Sequence, residues 1–120
     1  MATKAVLVRM TVRNLRVLAA GAIPPAEDSA LVGDALDEVH AELTGKGLTN
    51  DGAGVWTVEA VPPELIQPYV VLASSTMADT FHVPDDRIVR LRLEAIEAEN
   101  RIRRQIAVLN DGEPVKAEQF

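Results

Sequence analysis

Residues 83–109 read VPDDRIVRLRLEAIEAENRIRRQIAVL, and the spacing of their apolar side chains decides the fold. At helical period, Ile88, Leu91, Ala95, Ala98, Ile102, Ile106 and Leu109 recur in steps of three and four and make one apolar stripe. Val89, Leu93 and Ile96 make a second stripe, rotated about 100° from the first. Arg87, Arg90, Glu94, Glu97, Arg101 and Arg104 form a ladder of charge between them. Arg90 to Glu94 and Glu97 to Arg101 are spaced i, i+4, which suits either a self-stabilising solvated face or a salt-bridged seam between subunits. One face of this helix can enter a core; the second stripe asks what covers it.

The chain of 120 residues has one domain's worth of core. Area scaling has folding remove about two thirds of the unfolded surface at this size. Hydrophobic residues are 48% of the sequence but aromatics only 3%, so the core is built from Leu, Ile, Val and Ala in closely packed helices. Four scattered aromatics, Trp56, Tyr69, Phe81 and Phe120, make a poor stacking platform for single-stranded nucleic acid. The net charge of -6 argues against broad grip on a phosphate backbone, though not against contact at one basic face. With no cysteine, disulfides and thiolate metal sites are excluded, and a reducing compartment is compatible. No apolar run approaches the ~20 residues of a bilayer span, and no signal-peptide pattern opens the sequence, so a soluble chain is expected.

Working outward, residues 3–20 read as a first helix, although the β-branched AVLVRMTVR alone also suits a strand; Val6 or Leu7, Met10 or Thr11, Asn14 or Leu15, and Leu18 face inward and Gly21 is its stop. Its charges are all positive: Lys4, Arg9, Arg13 and Arg16. A second helix opens at Pro24–Pro25, runs to Gly45 or Gly47, and buries Leu31, Ala35, Leu36, Val39 and Leu43. It is nearly all acidic, through Glu27, Asp28, Asp34, Asp37, Glu38 and Glu42, with Lys46 at its end. These two faces attract, either as an antiparallel hairpin or across two copies. Residues 47–61 form a glycine-rich loop with at most a short strand at 55–58. A third helix opens at Pro62–Pro63 and buries Leu65, Tyr69 or Pro68, Leu72, Thr76 or Met77, and Phe81. The long helix then starts after Pro84 with Asp85 as N-cap, and ends at 110–112. The fold expected is all-α: a four-helix bundle-like domain over 1–109 and an extended tail over 110–120.

Signatures of chemistry are sparse. The sequence has no glycine-rich phosphate loop, no GxSxG and no HExxH, so no enzyme, cofactor or metal is expected. His40 beside Asp37 reads as a surface histidine. Asp79, His82 and the Asp85–Asp86 pair have the ligand types for a cation but too few in fixed order, and a helix end followed by an N-cap explains them better. Asp37 and Glu38 lack the unequal environments that a general acid and base need. Ser74, Ser75 and Thr76 suit close approach of a neighbouring helix backbone.

The order of elements resembles the head-to-tail adaptor proteins of tailed phages, notably the packaged-DNA stabilisation proteins of short-tailed phages. LRVLAAG closes the first helix, IPPAEDSALVGDALDEVHAEL follows, and RLRLEAIEAENRIRR lies in the last helix. The family pattern "D…L…L…G" and then "P-x-[ED]-L…LA…F" is matched by Asp34, Leu36, Leu43 and Gly47, then Pro63, Glu64, Leu65, Leu72, Ala73 and Phe81. The resemblance spans nearly the whole chain, mostly at positions that serve structure.

It implies a virion protein of the phage neck, made in the host cytoplasm. Copies form a ring, usually a dodecamer, beneath the portal protein. The ring extends the channel for packaged double-stranded DNA, helps retain the genome and carries the next tail or nozzle protein. On this reading Val89, Leu93 and Ile96 face a neighbouring copy. Arg9, Arg13 and Arg16 on one helix meet Asp34 and Glu38 on another across the same junction. The segment Glu113, Pro114, Val115, Lys116, Ala117, Glu118, Gln119 and Phe120 docks on the portal, with Val115 and Phe120 as anchors. Two alternatives stay open: another neck, connector or tail-completion protein, and a dimeric helical regulator that touches DNA through Arg9, Arg13 and Arg16.

Overall fold

In a computed structural model, residues 2–18, 26–50, 54–78, 80 and 83–110 are described. They form four helices: α1 (Lys4–Leu18), α2 (Ala26–Gly45), α3 (Pro63–Met77) and α4 (Asp85–Asn110). The chain is an all-α, bundle-like domain. Among the described residues no strand forms; the loop before α3 makes three isolated β-bridges, Ala2 to Val61, Asn50 to Val55 and Thr57 to Ala60.

α1 and α2 pack antiparallel: Lys4 lies against Asp37, and Lys4 and Val8 flank Gly33. A Cβ on Gly33 would sit 3.4 Å from the Lys4 side chain, so glycine lets the two helices approach closely. Among the described α1 side chains Leu7, Thr11 and Leu15 are fully inside, while Val6, Met10 and Asn14 are half-buried. Between the alternatives that the spacing left open, burial chooses the Leu7–Thr11–Leu15 row.

On α2 the buried row is Val32, Ala35, Leu36, Val39 and Leu43. Leu31, expected inside, is 44% exposed. The buried arc centres on Val39, and at 100° per residue Leu31 falls at its edge while Val32 turns inward. α2 ends in a Schellman motif. Gly47 takes φ +74, its N–H donates to the Thr44 carbonyl at 3.0 Å, and the Leu48 N–H donates to the Leu43 carbonyl at 2.8 Å. Leu43 and Leu48, joined by that bond, are both buried.

α3 is the central element and touches each of the other three helices. Leu65, Pro68, Tyr69, Val70, Ala73, Ser74 and Met77 are buried in it. Leu72 is half-buried and Thr76 exposed, so Met77 takes the place the pattern had offered to either. Pro68 stands in the second turn of α3, where it has no N–H to give the Glu64 carbonyl one turn earlier. The Tyr69 hydroxyl donates to the Leu36 carbonyl at 2.5 Å, tying α3 to α2, and its ring meets Trp56 edge-on at 5.5 Å. Burial, with the Asp37 charge, pushes the phenol well above its usual range. Ser74 accepts a hydrogen bond from the Asn14 side-chain amide at 2.8 Å, so this buried serine bonds α1 to α3 rather than merely leaving room. The Thr11 hydroxyl is buried with no partner among the described residues.

α4 spans 26 residues, about 39 Å at the helical rise. Asp85 stands in its first turn rather than at the cap: the Pro84 carbonyl takes the N–H groups of Arg87 and Ile88, both at 2.9 Å. Ile88, Leu91, Ala98, Ile102 and Ile106 are buried and Ala95 half-buried, as the first stripe requires. α4 lies chiefly on α3, and among the described residues its far side is not covered by another helix.

Gly21, Pro24, Pro25, Asp79, Phe81, His82 and residues 111–120 lie outside the described residues, as do the side chains of Arg16, Leu18 and Leu109.

Candidate functional site

The far side of α4 carries an exposed apolar stripe. Val89, Leu93 and Ile96 are 58%, 63% and 63% exposed, on the face turned away from the Ile88–Leu91–Ile102 row. Scattered exposed apolar residues are ordinary; three that share one helical stripe are not. Val108, also exposed, stands nearer the end of the helix and off this line. The stripe follows from the local sequence: residues four and three apart stack on one side of a helix, and among the described residues no other helix packs on that side.

Charged side chains flank the stripe, all exposed except the half-buried Glu99. Of the i, i+4 pairs that the spacing offers, neither Arg90–Glu94 nor Glu97–Arg101 closes an ion pair among the described residues. The pair that closes is Glu99–Arg103, at 2.9 Å. Its cause is long-range: Lys46, just past α2, reaches Glu99 at 2.6 Å and fixes the carboxylate where Arg103 can meet it. Hydrogen bonds from Lys46 and Arg103 hold the Glu99 carboxyl below the usual carboxylate range. Arg92, Glu99 and Arg103 were not singled out by the sequence pattern; their place beside the stripe was the available signal.

The charged faces of α1 and α2 meet within one chain. Lys4 donates to Asp37 at 2.9 Å, and that bond raises the lysine ammonium above its ordinary value. Arg9 and Asp34 line one shallow groove with Lys4, Gly33 and Glu59. Arg9, Arg13, Asp34 and Glu38 are all exposed. The structure thus realises the hairpin form of the attraction and leaves these four side chains accessible. The Arg16 side chain and the tail Glu113–Phe120 lie outside the described residues.

His40 differs from its surface reading. It is half-buried, its Nε2 lies 2.8 Å from the Trp56 carbonyl, and its ring meets Trp56 edge-on at 4.9 Å. Trp56 in turn donates its indole N–H to the Leu48 carbonyl at 3.2 Å. His40 and Trp56 therefore pin the glycine-rich loop onto α2. Among the described residues no group of three or more His, Cys, Asp or Glu side chains is placed to hold a metal ion. Asp85 is exposed in the first turn of α4, while Asp79 and His82 lie outside the described residues. No helix among them is long and apolar enough to cross a membrane. Compared with known protein families, with characterised proteins and with solved structures, the chain matches none.

Proposed function

We propose that this chain is a structural protein that works as an assembly of copies, and specifically a head-to-tail adaptor of a tailed phage. The observation that carries the reading is the exposed Val89–Leu93–Ile96 stripe, opposite the buried face of α4. Apolar area of this kind becomes favourable only when another surface removes it from water. In a ring beneath the portal, the stripe contacts the neighbouring subunit. Arg9 and Arg13 of one copy face Asp34 and Glu38 of the next, because a ring needs two different complementary surfaces. The assembled ring continues the channel for packaged DNA, with no sequence-specific contact, and carries the next tail protein. The tail, Glu113 to Phe120, clasps the portal. A DNA-binding regulator fits less well, since Arg9 shares its groove with the acidic side chains of Asp34 and Glu59.

The test is co-sedimentation of the purified chain with portal rings of the same phage. The full chain is expected to pellet with the portal as a ring, and a chain cut after Asn110 to stay in the supernatant. Absence of the full chain from the pellet removes the adaptor reading. Equal recovery of both chains removes the docking role of the tail.

A further inference from the structure

The charges around the α4 stripe are ordered in a way that selects its partner. Seam positions follow each other in steps of three and four: Asp86, Val89, Leu93, Ile96, Asn100 and Arg103, all exposed. Along the helix the flanking charges come in bands. Arg87, Arg90 and Arg92 are positive, Glu94, Glu97 and Glu99 negative, and Arg101, Arg103 and Arg104 positive again, with Asp85 and Asp86 at the start. Such a helix is complementary to itself when reversed.

We infer that in the free protein the stripe is covered by α4 of a second copy, running antiparallel, as a two-fold symmetric pair. Placing the axis between Leu93 and Ile96 sets each Leu93 against Ile96 of the other copy, with Val89 closing both ends of the seam opposite Asn100. On one flank Arg90 meets Glu97 and Asp86 meets Arg104; on the other Asp85 meets Arg103. Each contact occurs twice, because the interface is isologous. A parallel pair in register is the rival. It also brings opposite charges together across the flanks, Arg92 to Glu97 and Asp85 to Arg90. It fails at the seam, where Asp86 would stack on Asp86, and where Arg103, which pairs with Glu99 of its own chain, would also stack on Arg103. Reversal gives each of these residues a partner of opposite sign, and it sets the central positive band against the negative one. Like charges directly opposed are disfavoured, and this decides the orientation.

The seam holds three apolar side chains per copy, so the pair is concentration-dependent rather than obligate. It competes with the lateral contact of a ring: the same stripe cannot face both. Before assembly, the pair hides the stripe, and docking on a larger partner must open it. The inference rests on the geometry of α4 and does not need the adaptor reading. A dimer that never enters a ring keeps the inference and removes that reading; a ring built from free monomers does the reverse.

Sedimentation velocity on the full chain tests the pairing. The wild-type chain is expected to dimerise as its concentration rises. Arg90→Glu places two acidic pairs across the flank and is expected to weaken dimerisation about tenfold, as is Glu97→Arg. The double variant Arg90→Glu/Glu97→Arg restores dimerisation if the helices are antiparallel and weakens it further if they are parallel. All these positions are exposed, and circular dichroism checks that the helices are retained. Because the chain has no cysteine, disulfide trapping gives a second reading. A mixture of Val89→Cys and Asn100→Cys chains is expected to cross-link, whereas Val89→Cys alone is not. A wild-type chain that stays monomeric at every concentration, or a Val89→Cys chain that links to itself, overturns the inference.

Discussion

Replacing Tyr69 by Phe keeps the ring that meets Trp56 and removes only the hydroxyl that bonds the Leu36 carbonyl. The hydroxyl is fully buried, so at neutral pH the loss is that of one good internal hydrogen bond, about 1 kcal/mol. The pH dependence adds a second signature. The phenol is raised above its ordinary value of 10.0 in the folded chain, chiefly by burial. The folded state therefore holds its proton while the unfolded chain releases it, and wild-type stability falls as pH rises past about 10. The slope is about 1.4 kcal/mol for each pH unit above that point. The Phe variant has no such proton to lose. Near pH 11 the wild-type advantage of about 1 kcal/mol is thus expected to vanish or reverse. Urea unfolding followed by fluorescence of Trp56, the sole tryptophan, measures both proteins across this range. All other titrating groups cancel in the difference. A Phe variant as stable as wild type at pH 7, or a gap that stays constant to pH 11, would refute the assignment of a buried, hydrogen-bonded phenol.

Three further outcomes are expected. Thr11→Val removes the buried hydroxyl that lacks a partner among the described residues, and should raise stability by about 1 kcal/mol in urea unfolding; a loss would show that the hydroxyl is satisfied. Ile102→Ala should cost about 2–5 kcal/mol, whereas Ile96→Ala should cost less than about 0.5 kcal/mol at concentrations where the chain is monomeric. Equal costs would mean that the two faces of α4 are misassigned. Glu99 is held below the usual carboxylate range by Lys46 and Arg103, so its contribution is present above about pH 4.5 and lost as the pH falls. Glu99→Gln should therefore flatten the acid limb of the thermal midpoint against pH, and an unchanged limb would contradict the Lys46–Glu99 contact.

The helices and the two faces of α4 were legible in the sequence because amphipathic spacing is local. So was the C-terminal stop of α2, since a glycine at 47 suits the left-handed turn found there. The inward face of α2 was misread by one residue: Leu31 and Val32 are both apolar, and only the position of α1 and α3 selects the second. The contacts that hold the elements together were not legible. Tyr69 to Leu36, Asn14 to Ser74 and Lys46 to Glu99 join residues 33, 60 and 53 positions apart, and no spacing rule relates them. His40 looked like a surface residue because its neighbours in sequence are polar; its partner, Trp56, comes from the loop that folds back over α2. The candidate interface was visible as an unexplained second stripe. Its charge order became meaningful once the structure left that side of α4 open.

The central claim is that this chain carries more apolar surface than its own core can cover, and that copies supply the rest. The most direct measurement compares wild type with Leu93→Ser/Ile96→Ser by sedimentation velocity over a wide concentration range. The wild-type sedimentation coefficient is expected to rise with concentration while the variant stays monomeric, with its helical content and dilute-solution stability unchanged. Identical behaviour of the two proteins would contradict it.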